Sequence, residues 1–116
     1  MIELISETAC IGCDICVRIC PTNVFEAVPH GAPTIARKDD CQTCFMCELY
    51  CPTDALFVAP EADCSAAVDE AQLRERGLLG SYRRSIGWSA EGPVQVAADQ
   101  TYRVLAMIQP APHPLR

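Results

Sequence analysis

Two short stretches of the chain concentrate its thiols at a regular spacing. The first reads CIGCDICVRICP and the second reads CQTCFMCELYCP. In each stretch three cysteines occur at every third position, a fourth follows four residues later, and a proline comes next. The second stretch repeats the first after 31 residues, at every cysteine and at the proline. The cysteines are Cys10, Cys13, Cys16 and Cys20, and then Cys41, Cys44, Cys47 and Cys51.

This spacing suits an iron–sulfur cube, which needs one thiolate for each of its iron atoms. A loop with a cysteine at every third residue can wrap one cube and supply three corners, which are Cys10, Cys13 and Cys16 in the first stretch. Backbone N–H groups of the loop can then point at the sulfur atoms and offset their negative charge. Gly12 removes a side chain where the loop runs close to the cube. The spacing therefore predicts two [4Fe–4S] clusters.

Two other uses of the cysteines are disfavoured. Zinc ribbons use C-x₂-C pairs set well apart, and they need neither a third cysteine at the same spacing nor a trailing proline. A disulfide framework is typical of small secreted proteins. The stretch MIELISETAC lacks the basic and apolar regions of a secretory signal. We therefore expect a reducing, cytoplasmic compartment, in which clustered thiols usually bind metal.

The elements that position the cysteines form two copies of one unit, residues 2–28 and 33–58, joined by the turn-rich hinge PHGAP. Each copy contains a β-prone run, a cysteine loop, a helical turn and a second β-prone run. Both helical turns end at CPT, because proline cannot continue a helix as a donor. The predicted ranges are Ile2–Ser6, Val17–Cys20 and Val24–Val28 in the first copy, and Thr34–Arg37, Glu48–Cys51 and Leu56–Ala59 in the second.

On these motifs, residues 1–59 resemble the bacterial dicluster ferredoxins. The resemblance implies a pseudo-twofold α+β fold that binds two [4Fe–4S] clusters and transfers one electron at a time. In the C-x₂-C-x₂-C-x₃-C-P run of such proteins, the fourth cysteine ligates the other cluster. The resemblance therefore implies that Cys10, Cys13, Cys16 and Cys51 hold cluster 1, and that Cys41, Cys44, Cys47 and Cys20 hold cluster 2.

Residues 60–116 form a C-terminal extension of the dicluster module 1–59. We expect a helix that starts at Ser65 or Asp69 and stops at Gly77. PVQVA and TYRVLAMI are expected to form a hairpin, and QPAPHPLR an extended end. A segment of this size buries too little surface to stand alone. It should therefore lie on the module, on a second copy or on another subunit.

Charge separates the two parts of the chain and limits the partners. Residues 1–59 hold eight acidic and three basic residues, whereas residues 60–116 hold seven and six. The net charge of −6 argues against nucleic acid and anionic membrane surfaces and suits a basic partner. No run approaches the ~18 consecutive apolar residues that a membrane helix needs.

The extension resembles two kinds of iron–sulfur subunit. Its architecture is similar to the small β subunit of adenylylsulfate reductase, a dicluster module whose tail wraps a flavoprotein subunit. That subunit carries an insertion in its first motif, which this chain lacks between Cys10 and Cys20. GSYRRSIGW resembles small iron–sulfur subunits of fumarate-reductase-like flavoproteins. These resemblances imply an electron-transfer subunit that docks on an FAD-dependent oxidoreductase through residues 60–116. The alternative is a free soluble ferredoxin that shuttles electrons between separate enzymes.

Further side chains carry narrower expectations. Cys64 is expected to be a small buried hydrophobe. Arg83 and Arg84 either bind a partner's acids or a flavin phosphate, or are solvated. Aromatic residues of the extension either anchor an interface or pack on the module, and they are Tyr82, Trp88 and Tyr102. Apolar residues expected to shield the clusters from water are Ile11, Ile15, Val17, Phe25, Phe45 and Phe57. The two histidines, His30 and His113, are expected at the surface.

Overall fold

Strands and short helices alternate along the first part of the chain. The computed structural model describes residues 1–88, 100 and 103–107. The elements in order are β1 (Ile2–Ile5), α1 (Ile15–Ile19), β2 (Phe25–Glu26), β3 (Thr34–Ile35), a 3₁₀ turn (Lys38–Asp40), α2 (Met46–Tyr50), β4 (Leu56–Val58), α3 (Glu70–Glu75), α4 (Ser81–Ser85) and α5 (Arg103–Met107). The predicted order of elements in both repeats is confirmed, and each of the two repeat helices begins two residues earlier than expected.

The strands pair across the two repeats. β1 runs antiparallel to β4, with Ile5 opposite Leu56 and an irregular register between Ile2 and Leu4. β2 runs antiparallel to β3, with Phe25 opposite Ile35. The first strand of each repeat thus pairs with the second strand of the other. This exchange agrees with the predicted pseudo-twofold α+β module.

Both repeat helices are short because the sequence stops them at the same point. Each begins directly after a left-handed residue, Asp14 or Phe45. Each ends at an extended cysteine, with ψ of 119° at Cys20 and 116° at Cys51. A following proline disfavours the helical conformation in the residue before it. The CPT sequences therefore turn the last cysteine of each motif away from its own loop.

The core lies between the two small sheets and the two repeat helices. Val24 and Ala55 are buried at equivalent places in the two repeats, as are Phe25 and Leu56. Ile2 is fully buried at the start of β1. Three cysteines belong to the same core, and they are Cys16, Cys47 and Cys51. The thiols are therefore part of the packed interior of the module.

Residues 60–88 pack against the module. Asp69 caps α3 by accepting a hydrogen bond from the Gln72 N–H at 3.1 Å, and Gly77 follows the helix with φ of 66°. The predicted helix is therefore confirmed, with Asp69 as its start. Leu73 and Leu79 are buried, and the Gly80 N–H donates to the carbonyl oxygen of the core residue Leu56.

Polar contacts join the same segment to the first strand. The Glu3 carboxylate pairs with Lys38 and accepts hydrogen bonds from Ser65 and from the Ala66 N–H, the last at 2.9 Å. At the far end of β1, Arg74 donates to the buried Ser6 hydroxyl at 3.0 Å. Burial opposes the charge of Glu3, but these donors outweigh it and lower the pKa of the carboxyl group.

The prediction of a hairpin in the extension is wrong for its second strand. Residues 103–107 form α5, inside the stretch predicted as a strand. PVQVA and QPAPHPLR lie outside the described residues. In the described part of the chain, no helix has both the length and the apolar character needed to cross a membrane.

Candidate metal centres

The two repeats together form two cavities, and each cavity is lined by four cysteines. Site 1 is defined by Cys10, Cys13, Cys16 and Cys51, which line one cavity. Site 2 is defined by Cys41, Cys44, Cys47 and Cys20, which line a second cavity. The structure therefore brings together each set of four predicted ligands, including the cysteine that comes from the other repeat.

The backbone around the two cavities follows one pattern. Three left-handed positions in the first repeat recur after 31 residues in the second, and they are Gly12 and Thr43, Asp14 and Phe45, and Asn23 and Asp54. Left-handed backbone is costly for ordinary residues and persists where the surrounding structure demands it. The same loop shape is therefore built twice from different side chains.

Backbone N–H groups point at the sulfur atoms. Val24 donates to the Cys20 Sγ at 3.4 Å, and Ala55 donates to the Cys51 Sγ at 3.3 Å, at equivalent places in the two repeats. Two further donors are Ile2 to Cys41 at 3.3 Å and Gly12 to Cys10 at 3.4 Å. Such donors stabilise negative charge on sulfur. The predicted inward-pointing N–H groups are thus present at both sites.

Two of the buried thiols that line the cavities, those of Cys16 and Cys47, resist ionisation. Burial raises the pKa of Cys16 to about 11, and the nearby Cys51, Cys10 and Cys13 add to this. Burial raises the pKa of Cys47 as well, and the nearby Cys44, Cys41 and Cys16 add to this. At Cys20 the donors from Val24, Thr22 and Asn23 outweigh burial and lower the pKa. Metal binding requires thiolates, so the positive charge of a bound metal must compensate for this burial.

The arrangement of these donors fits a cube better than a single ion. No three His, Cys, Asp or Glu side chains within the described ranges converge on a point where one metal ion could sit. Four thiols instead line each cavity. A cube takes one thiolate at each corner, so its ligands are held apart. Soft sulfur donors, inward N–H groups and an apolar lining together suit an iron–sulfur cluster.

A buried acid breaks the symmetry of the two repeats. Glu48 in α2 is fully buried, and its twofold counterpart is Val17. Its carboxylate accepts hydrogen bonds from the Val58 N–H at 3.0 Å and the Tyr82 N–H at 2.9 Å. Burial raises the pKa of Glu48, although both N–H groups oppose this. Sequence reasoning missed this residue; an acid opposite an apolar residue in the repeat alignment was its signal.

Contacts from residues 77–88 reinforce the same side of the module. Tyr82 stacks on Phe45, with ring centroids 4.6 Å apart. Arg84 pairs with Asp54 at 3.2 Å, and the Gly80 N–H donates to the Leu56 carbonyl at 3.0 Å. Arg83 donates to the carbonyl oxygens of Cys51 and Trp88. Both arginines are therefore bonded within the chain, so the expectation of a freely solvated pair is wrong.

The other singled-out residues fall into three groups. Ile15, Phe25 and Phe45 line the cavities as expected of shielding residues, whereas Ile11 is 66% exposed. Cys64 is exposed, so the expectation that it is buried is wrong; residues 60–65 all run over the surface. His30 is exposed in a turn, as expected. Tyr102 and His113 lie outside the described residues.

Comparison with known proteins agrees with the geometry. A family profile described as a 4Fe-4S dicluster domain matches residues 9–55. An uncharacterised ferredoxin of Methanocaldococcus jannaschii is 43% identical over 63 residues, which cover 53% of this chain and all of that protein. A ferredoxin of Methanothermococcus thermolithotrophicus is 44% identical over 46 residues, covering 40% of this chain and 75% of that protein.

A more distant relative and the solved structures complete the comparison. An uncharacterised polyferredoxin-like protein of Methanocaldococcus jannaschii is 28% identical over 66 residues, covering 47% of this chain and 39% of that protein. No solved structure shows a significant match. The cysteine sites, the profile match and the two short ferredoxins together show that this chain belongs to the dicluster ferredoxins and carries two [4Fe–4S] clusters for electron transfer.

Proposed function

We propose that the two clusters are held crosswise, with cluster 1 in site 1 and cluster 2 in site 2. Each cluster then takes three thiolates from one repeat and one from the other. The cavity linings support this assignment, because Cys51 lies with the first repeat's cysteines and Cys20 with the second's. The backbone is extended at Cys20 and at Cys51, which directs each of these cysteines away from the loop of its own repeat. This geometry supports the assignment as well.

We propose further that the chain is the iron–sulfur subunit of a cytoplasmic, heteromeric FAD-dependent oxidoreductase. When bound, each cluster accepts and returns one electron. The residues of this chain hold the clusters, keep water from them and present them to a partner. An acidic module suits a partner with a basic surface, because complementary charge speeds the encounter of the two proteins.

The observation that carries this proposal is an exposed aromatic pair beside site 1. Tyr50 directly precedes Cys51, and its ring meets the edge of Trp88 with centroids 5.4 Å apart. Tyr50 is 39% exposed and Trp88 is 50% exposed. Arg83 bridges the backbone of Cys51 to that of Trp88. Aromatic side chains of this kind anchor protein interfaces, and this pair lies one residue from a cluster ligand.

The packing of residues 60–88 on the module limits which part of the extension is available to dock on a partner. These residues contact the module through Ala66, Gly80 and Tyr82. A truncation after residue 77 would therefore expose the Glu48 carboxylate as well as remove an interface. We propose that docking uses Trp88 and the residues that follow it, and that residues 60–88 belong structurally with the module.

Anaerobic purification of the full chain from its native source tests this proposal. We expect a second polypeptide to co-elute with about one FAD per chain, and Trp88→Ala to weaken the complex by roughly 2 kcal/mol, as an anchor does. Trp88→Phe keeps an aromatic edge on Tyr50 and is the matched control. A full chain that elutes without flavin, with Trp88→Ala unchanged in behaviour, would contradict the proposal.

The alternative function is a free soluble ferredoxin. It is favoured by the packing of residues 60–88 on the module, which gives much of the extension a structural role. It is also favoured by the two short proteins named ferredoxin, which match the first half of this chain. In that case the same purification yields a flavin-free chain that still accepts electrons from a chemical reductant.

A further inference from the structure

Most residues that line the two cavities are equivalent, and two of the matched positions differ in their chemistry. Gln42 and Val58 line only site 2, whereas Ile5 and Ile15 line only site 1. Thr22 and Thr53 lie at matching places, as do Val24 and Ala55, and Phe25 and Leu56. The first exception is Ile2 at site 2, whose counterpart after 31 residues is Pro33 at site 1. The second exception is Phe45 at site 2, whose counterpart is Asp14 at site 1.

The first exception removes a hydrogen-bond donor from site 1. The N–H of the fully buried Ile2 donates to the Cys41 Sγ at 3.3 Å. Cys10 cannot receive the equivalent bond, because Pro33 has no N–H. Cys10 does accept from Gly12, but that bond is exposed to water. The Gly12 donor is therefore weaker than the buried Ile2 donor, because water competes for the exposed bond.

The second exception places an acid at site 1. Asp14 lines the cavity, and its Oδ1 is buried without a hydrogen-bond partner among the described residues. Its side chain does not cap α1, although it precedes that helix. At site 2 the same left-handed position holds Phe45, whose ring stacks on Tyr82. Site 1 therefore has a carboxylate where site 2 has a pair of aromatic rings.

We propose that these differences make the two sites unequal acceptors, so that the first electron rests at site 2. Reduction adds one electron to a cluster, supplied by an external chemical reductant, with no bond made or broken in the protein. A donor N–H stabilises the added negative charge, and a nearby carboxylate opposes it. Both exceptions therefore favour site 2. This inference rests on the proposed crosswise ligand assignment.

Two charged groups act in the opposite direction. Glu48 is a buried acid that directly follows Cys47 of site 2, but it lines neither cavity and its carboxylate accepts hydrogen bonds from the Val58 and Tyr82 N–H groups. Arg83 donates to the carbonyl oxygen of Cys51, a site 1 residue. It contacts the backbone of Cys51 and does not line the cavity, whereas Asp14 does. Its effect is therefore weaker than that of Asp14. Arg83→Gln should widen the difference between the sites, while the removal of Asp14 should narrow it.

A stepwise anaerobic reduction with dithionite, followed by NMR of the cysteine β-protons, tests the proposal. The hyperfine-shifted signals are assigned to single cysteines by residue-selective labelling. We expect the signals of Cys41, Cys44, Cys47 and Cys20 to change first, with at least a tenfold preference for site 2 in the singly reduced protein. A tenfold preference corresponds to about 59 mV for a one-electron couple.

Two conservative variants identify the cause. Pro33→Ala restores an N–H at site 1, and Asp14→Asn removes the charge while keeping a residue that tolerates left-handed backbone. Each should reduce the preference about threefold, and the double variant should abolish it. Asp63→Asn is the charge-matched control, because Asp63 is exposed and lines neither cavity.

The outcomes separate this inference from the ligand assignment. If Cys20 changes together with Cys10, the crosswise assignment is wrong. If the assignment holds but both sites are reduced together, or site 1 first, the inequality is refuted. A preference that survives the double variant refutes the assigned cause. If a variant fails to bind iron, the stepwise reduction of the unmodified chain decides whether the two sites are unequal.

Discussion

The two repeats of the module build the same cavity and differ in what covers their outer side. In the second repeat, residues 77–88 lie along α2 and the loop that follows it, through Glu48, Asp54 and Leu56. In the first repeat, the counterpart of Glu48 is Val17, and Arg37 bonds to Asn23 and Phe25 instead. Most positions that face a cavity repeat, and the exceptions are Pro33 and Asp14 at site 1 against Ile2 and Phe45 at site 2. Positions that receive the extension, such as Glu48, diverge as well.

The largest expected effect comes from the cysteine that crosses between repeats. Cys20→Ala should remove the cluster of site 2, and Cys51→Ala that of site 1, because each cavity then lacks a thiolate. Iron analysis should fall from about eight atoms per chain to about four. Spectroscopy of the remaining cluster should show which site is lost.

Cys64→Ala is the matched control for these variants. Cys64 is exposed and lines neither cavity, so both clusters should remain. If Cys20→Ala removed the cluster bound by Cys10, Cys13 and Cys16, the crosswise assignment would fail.

The second largest effect concerns the acid that the first repeat lacks. Glu48→Ala leaves the buried N–H groups of Val58 and Tyr82 without an acceptor, at a cost of roughly 1–3 kcal/mol for each. Hydrogen exchange at the Tyr82 amide should accelerate, and thermal loss of the clusters should occur at a lower temperature. Glu48→Gln keeps one acceptor oxygen and should cost less. Val17→Ala, at the matching place, should leave Tyr82 exchange unchanged; equal acceleration by both variants would contradict the assigned role.

A smaller effect is expected at the contact that brings the extension onto β4. A Cβ placed on Gly80 would lie 2.2 Å from the Asp54 Oδ1, and φ there is +66°. Gly80→Ala should therefore destabilise the protein by about 2–4 kcal/mol, from left-handed strain together with displacement of Asp54. Unfolding in denaturant under anaerobic conditions measures the loss.

Gly77→Ala isolates the strain from the clash. Gly77 has the same φ of +66°, but a Cβ there meets nothing within 4 Å. This variant should cost only about 1–2 kcal/mol. Equal losses at the two glycines would show that the close approach of Gly80 to Asp54 is not what constrains the segment.

The smallest effect is a dependence on pH at the start of the extension. The pKa of Glu3 is lowered from 4.5 in the folded chain, chiefly because Lys38, Ala66 and Ser65 overcome its burial. The charged form therefore stabilises the fold above the unfolded pKa, and this contribution is lost as the pH falls through the lower, folded value. The protection of the Ala66 amide, measured as its exchange rate relative to an unstructured peptide at the same pH, should fall as the pH drops below the unfolded value of 4.5 and through the folded pKa. Glu3→Gln should show fast exchange without this pH dependence, and a steep dependence in that variant would assign the effect elsewhere.

How far the sequence predicts this structure depends on the range of the interactions. The cysteine sites and the helix stops were predictable, because spacing and the residue before proline act locally. Glu48 was not, because its partner Tyr82 is 34 residues away. A strand was predicted at 101–108 because Tyr and Val favour strands. Arg, Leu, Ala and Met in the same stretch favour the helix that is observed at 103–107. Cys64 was expected to be buried because cysteine is usually a buried residue type. Residues 60–65 all lie at the surface, and Cys64 lies there with them.

The strand exchange has a consequence for how such a module could arise. Neither repeat pairs its own two strands, since β1 takes β4 and β2 takes β3. With the proposed crosswise ligands, neither repeat completes a site by itself. A single repeat is therefore half of a symmetric object, and two identical copies could supply each other's missing strand and missing thiolate. The covalent hinge at 29–33 turns that assembly of two chains into one molecule, and so frees one half to acquire an acid such as Glu48 without imposing it on the other.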